Sequence, residues 1–128
     1  MEVMITLLIL AIGLLGLAAL QIVAIRGNTF GSQMTYASVL AQRKLEELKG
    51  LPSTDIKLQA GDHPNPQESS DSWYQVQEKG ITYQITHTVQ DDTPNTGMKT
   101  IKLTITWTGA TQGGVGQHSA TFNTVISY

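Results

Sequence analysis

The stretch Val3 to Ile25, VMITLLILAIGLLGLAALQIVAI, decides how this chain is built. No charge interrupts it, and Thr6 and Gln21 are its only clearly polar side chains. As a helix its 23 residues span roughly 35 Å, and about 20 such residues cross the hydrocarbon core of a bilayer. The run is longer than the ~7–15-residue core of a signal peptide. A surface helix of a soluble domain has a polar face, and this one has none. A chain of 128 residues is too small to surround such a helix on every side. The spacing therefore predicts a membrane-spanning or bundle-forming rod.

Two features inside the rod bear on what it touches. Gly13 and Gly16 lie three apart on one helical face beside Ala18 and Ala19, where small residues permit close helix–helix contact. Glycine is also simply common in membrane helices. Glu2 places a carboxylate at the apolar edge, which calls for a partner or a position among headgroups.

Outward from the rod, Gly27, Asn28 and Gly31 make a weak point where a helix can bend or partly unwind. Beyond it Phe30, Met34, Ala37, Ala41, Leu45 and Leu48 follow three- and four-residue steps, the stripe of an amphipathic helix packed on a head. Arg43 with Glu47, and Glu46 with Lys49, stand at spacings that let each pair help modestly. Gly50 and Pro52 end the helix. Leu51 to Ser72 has no period and is rich in Pro, Ser, Asp, Asn and Gln. It reads as a connecting loop, long enough to be functional or packed by local contacts.

From Trp73 the period becomes two. Ile81, Tyr83, Ile85, His87 and Val89 alternate with polar residues, as do Ile101, Leu103, Ile105 and Trp107. A weaker alternation through Ala120, Phe122 and Ile126 reaches the C-terminus. Turns fall at Lys79-Gly80, at Pro94 to Gly97 and in the glycine-rich run Gly109 to Gly116. The expectation is α+β: a four-stranded antiparallel meander whose apolar face is covered by the helix stripe. Residues 1–26 form the apolar rod, 27–50 its amphipathic continuation, 51–72 the loop and 73–128 the sheet head. The threonine-rich opposite face reads as solvated, threonine being a good strand former.

Composition narrows the chemistry. Net charge is −2 and charged residues make up 14%, against about 25% in soluble domains. Without cysteine there is no disulfide, thiolate site or thiol nucleophile. No basic stripe with interleaved aromatics favours nucleic acid, and no nucleophile elbow or phosphate loop favours an enzyme. His63, His87 and His118 are scattered in sequence, with His87 on an apolar strand face as a core histidine would be. No cofactor is expected. Asp91 and Asp92 at the start of a turn are calcium candidates, though such pairs are more often only solvated. Trp73, Tyr74 and Trp107 are expected in sheet packing or in contacts between heads.

The opening MEVMITLLILAIGLLGLAALQ resembles the N-terminal segment of type IV pilins and of the pseudopilins of type II secretion. The mature chain there begins Phe-Thr-Leu-Ile-Glu-Val, so Glu2 and Val3 match its Glu-Val and Met1 takes the isoleucine position. The segment Ala37 to Pro52 and the strands ITYQITHTVQDDTP and KTIKLTITWTG also look like minor pilins and minor pseudopilins. The Phe-Thr-Leu and the basic leader ending in glycine do not precede Met1 here. Either Met1 is internal to the reading frame, or the chain was trimmed, or it never meets the prepilin peptidase. Ala19 replaces the mid-helix proline of many major pilins, and no cysteine is present for their C-terminal loop. The form looks most like a minor pilin of the pilus-modification type.

The resemblance implies a pilin-like α+β fold and a filament of like or related subunits. It implies a single-pass chain in the inner membrane, with its head outside the cytoplasm, that becomes part of a cell-surface pilus. Glu2 would neutralise the N-terminal ammonium of a neighbour and set axial register, and Val3 onward would supply cohesion. A minor pseudopilin of type II secretion is the nearest alternative, and a single-span membrane-anchored binding domain is the alternative of another class.

Overall fold

A computed structural model of the chain describes residues 2–111 and 114–127. One α-helix, α1, runs without interruption over Glu2–Lys49, 48 residues and roughly 70 Å. It carries through Gly27, Asn28 and Gly31 in α conformation, so the expected weak point does not unwind. Gly50 ends it, donating to the carbonyls of Glu46 and Glu47 at 3.2 and 3.1 Å. Leu51 follows with a bond to Leu48.

The sheet has five strands, not the four expected: β1 Gly61–His63, β2 Gln75–Glu78, β3 Ile81–Asp91, β4 Met98–Thr111 and β5 Gly114–Ser127. All pairings are antiparallel. The meander β2-β3-β4-β5 is as the alternation foretold. The addition is β1, three residues inside the segment read as a loop, which pair with Val89 to His87. β1 and β2 thus share one flank of β3, β1 at its C-terminal end and β2 at its N-terminal end. Trp73 and Tyr74 precede the first meander strand in a short 3-10 turn over Ser72–Tyr74.

The β2–β3 connection is Lys79-Gly80, with φ of 49° and 77°. Positive φ at both central residues is the hairpin geometry that matches strand twist. Strand pairing continues to Thr111 and Gly114, so most of the run Gly109 to Gly116 expected as a turn is strand. Gly109 lets the helix approach. A Cβ on Gly109 would stand 2.2 Å from Gln33 Oε1.

The core lies between α1's second half and one sheet face. Ala37, Leu40, Ala41, Leu45 and Leu48 meet Ile85, Val89, Ile101, Leu103 and Ile105. Leu58, from a 3-10 turn in the connecting segment, is fully buried with them. That segment is therefore packed: Asp55 and Asp71 each cap a short turn by accepting a backbone N–H two residues on. Lys57 and Asp71 pair at 2.9 Å across it.

Candidate functional site

The helix divides near Ser32. Every described residue from Glu2 to Ser32 is exposed. The large apolar side chains from Val3 to Ile25 are 51–72% accessible, and an 18-residue window of α1 is hydrophobic enough to cross a membrane. Glu2 and Val3 stand at the tip of this bare rod, where Thr6 Oγ1 donates to the Glu2 carbonyl at 2.9 Å. A Cβ built on Gly13 or Gly16 meets nothing within 4 Å, so both present open backbone to whatever surrounds the rod. The head makes no use of these four positions.

Of the stripe expected to pack on the head, Ala37, Ala41, Leu45 and Leu48 are buried in the core. Phe30 and Met34 do not belong to the core; each remains 38% exposed. They lie where α1 leaves the sheet, and the Phe30 ring meets that of His118, centroids 5.0 Å apart. The stripe also includes residues that polarity concealed. Gln33 is buried because its Oε1 accepts from Trp107 Nε1 at 3.3 Å. Lys44 is buried because it lies over the Trp73 ring, Nζ 4.6 Å from its centroid, and pairs with Glu47 at 3.1 Å. Glu47 also accepts from Trp73 Nε1 at 2.7 Å. It is Lys44, not Arg43, that takes Glu47, whereas the expected Glu46–Lys49 pair forms at 3.3 Å.

Behind Trp73 the fold gathers groups far apart in sequence. The His63 and His87 rings stack with centroids 4.5 Å apart and planes 9° from parallel. The Tyr74 ring is also parallel to that of His87, centroids 5.9 Å apart and planes 6° from parallel. His87 Nε2 lies 2.8 Å from the Lys57 carbonyl, which can only accept, so Nε2 carries the proton and Nδ1 is bare. Burial pushes the His87 pKa down to about 4, overcoming the upward pull of the Lys57 carbonyl. Both His63 nitrogens face acceptors: Nδ1 lies 2.5 Å from Glu68 Oε2 and Nε2 2.9 Å from the Gln59 carbonyl. Burial opposes ionisation of Glu68. His63, the Asn65 N–H and Tyr74 together outweigh it and hold the carboxyl below its ordinary range. Burial, then the neighbouring carboxylate, pushes the Tyr74 phenol up. Glu68 and Tyr74 influence each other, yet neither Glu68 Oε1 nor Tyr74 Oη has a hydrogen bond of good geometry, and His87 Nδ1 shares that condition.

The calcium candidates are otherwise engaged. Asp91 Oδ1 pairs with Lys99 Nζ at 2.6 Å, and Asp92 Oδ1 accepts from the Gly97 N–H at 2.9 Å. No group of three or more metal-ligating side chains occurs among the described residues. The histidine pair had no sequence signal, because its members are 24 residues apart and belong to different strands. Comparison of the chain with protein-family models, with curated proteins and with solved structures found no match.

Proposed function

We propose that this chain is a structural subunit of a type IV pilus or related filament, a minor pilin, held in the inner membrane by the first half of α1 before assembly. The observation that carries the reading is the bare apolar rod on a folded head. Its Val3 to Ile25 side chains have no partner within the head, and burying such side chains is worth ~1.5–3 kcal/mol each. Lipid can cover this surface, and so can like helices. Open backbone at Gly13 and Gly16 favours close helix contact, and Glu2 at the edge gives a bundle a polar group that fixes register.

In this reading the head stays outside the cytoplasm, and assembly exchanges lipid for neighbouring rods around Val3 to Ile25. Glu2 then neutralises the N-terminal ammonium of an adjacent subunit. A minor pseudopilin shares this physics and differs in its assembly partners.

The test compares wild type with Glu2→Ala and Glu2→Leu in membrane and sheared-filament fractions. Both variants are expected in the membrane at normal amounts and to be lost from filaments. Normal amounts of either variant in filaments refute the role of Glu2. A wild-type chain confined to the membrane leaves a pseudopilin or a single-span anchored head. Intact mass of filament protein tests processing: a methylated phenylalanine three positions before Met1 supports the pilin reading, and a membrane-confined chain starting at Met1 counts against it.

A further inference from the structure

The last strand of the sheet has one neighbour. β5 pairs with β4 along fourteen register positions, Gly114 to Ser127, and closes the strand order. Among the described residues no backbone bond runs from it to any other element. Folded proteins usually blunt such an edge with charge, proline or a short length. Gly114–Ser127 contains no Asp, Glu, Lys, Arg or Pro. The opposite flank is divided into β1 and β2, three and four residues long.

The side chains of β5 are also unfinished on the core side. Phe122 and Ile126 pack against the core yet stay half-buried, and Ala120 alone is buried. One more strand beside β5 would satisfy its outward N–H and C=O groups and cover those two side chains. The chemistry of the edge thus asks for an extended strand.

Direction selects which strand. A two-fold pairing of β5 with β5 of a second copy needs an axis normal to the sheet. Contacts between α1 and the head spread from Phe30 at His118 to Glu47 at Trp73, so the helix lies along the sheet face. That two-fold would turn the second helix to point the opposite way, and two apolar rods could not enter one membrane. Copies with rods pointing the same way instead bring β5 of one to the β1/β2 flank of the next. β5 runs parallel to β3, and β1 and β2 run antiparallel to β3. The new pairing is therefore antiparallel, as in the rest of the sheet.

We propose that β5 pairs with the β1/β2 edge of a neighbouring copy, so that the head sheets continue from subunit to subunit. The proposal rests on the filament reading, which supplies the parallel rods. Register across the sheet places Gln75 level with Gln84, Thr106 and Ser119, and Asp62 level with Thr88, Lys102 and Asn123. All four of Gln75, Ser119, Asp62 and Asn123 are exposed. Because residues alternate between faces, an axial offset between copies shifts the partners in steps of two.

The absence of native cysteine makes a cross-linking test free of background. Full-length chains carry Gln75→Cys with one of Gln117→Cys, Ser119→Cys, Thr121→Cys or Asn123→Cys, and are oxidised in membranes and in filaments. A ladder of dimers, trimers and longer products at one β5 position, fading on either side, is expected. Each β5 single-cysteine chain is expected to give no dimer. Dimers from the single variants, or equal ladders at all four positions, overturn the proposal. So does the absence of any β5–β2 link where Gly13→Cys and Gly16→Cys chains still cross-link through their rods, which leaves the filament reading standing. Rods that never cross-link overturn both.

Discussion

Replacing Gly109 by alanine probes the closest approach between helix and sheet. Gly109 is buried on β4 and has no positive φ, so alanine fits its backbone. The obstacle is a side chain: the three atoms nearest the new Cβ are Gln33 Oε1, Cδ and Nε2, at 2.2, 3.0 and 3.3 Å. Ordinary contact begins at 3.4 Å, so Oε1 must retreat by about 1.2 Å, the difference between 3.4 and 2.2 Å. Its bond from Trp107 Nε1 is already 3.3 Å long and breaks. A buried indole N–H left without an acceptor costs about 1–3 kcal/mol. The lost chain freedom of glycine returns about 0.4–1 kcal/mol. Gly109→Ala should therefore destabilise the head by about 1–2 kcal/mol. In a Gln33→Ala background the obstacle is gone and only the entropy term remains, so the same substitution should stabilise by about 0.4–1 kcal/mol. The sign reverses. Urea unfolding of the full chain in detergent, followed by tryptophan fluorescence, reads all four corners of the cycle. Equal destabilisation in both backgrounds would show that β4 backbone, not the Gln33 amide, sets the helix–sheet distance.

Other consequences separate the rod from the head. Leu48→Ala, at a fully buried position, should cost about 2–5 kcal/mol of head stability. Leu15→Ala on the bare rod should shift the same urea midpoint hardly at all. Acid should weaken the head between about pH 6.5 and 4, because unfolded His87 binds a proton there that buried His87, with its pKa lowered to about 4, does not. The full loss is about 3 kcal/mol by the time the folded ring titrates. His63, Glu68 and Lys57 face that ring, and the Glu68 carboxyl, held low, adds its own loss below its ordinary range. Urea midpoints at pH 7 and 5 for wild type and His87→Phe isolate the histidine, and an unchanged slope in the variant contradicts the assignment. Gly80→Ala, at φ 77°, should cost about 1–2 kcal/mol, measured in the same way.

Much of this architecture was legible because it rests on period and polarity. The uncharged run Val3 to Ile25 and the alternation along β3 and β4 each repeat a local rule over many residues. What escaped was fixed by contacts across the fold. β1 is only Gly61, Asp62 and His63, with no period, and becomes a strand because Val89 to His87 offer an open flank. Gln33 and Lys44 look like solvent-facing positions, yet Trp107 and Trp73 cover them. Phe30 and Met34 keep the helical step but lie at the end of the helix–sheet contact, where Phe30 meets His118 and both stay partly exposed outside the buried core. The stacking of His63 on His87 needs β1 to exist first. Glu2, Val3, Gly13 and Gly16, proposed for assembly, stand in the fold as surface without a partner in the head.

The uninterrupted helix ties the two halves of the proposed assembly together. A break at Gly27 to Gly31 would let the head swing independently of the rod, and contacts among heads would then be free of register among rods. With α conformation kept through those residues, a displacement of the rod is transmitted to the head. A register set near Glu2 by a charge pair would then fix where β5 of one copy stands against the β1/β2 flank of the next. Lengthening α1 by one residue between Gly27 and Gly31 rotates the head by about 100° relative to the rod. Such an insertion should leave membrane insertion and head stability untouched while abolishing the β5–β2 cross-link. Retention of that cross-link at its original register, in filaments of normal yield, would show that the heads find each other without guidance from the rod.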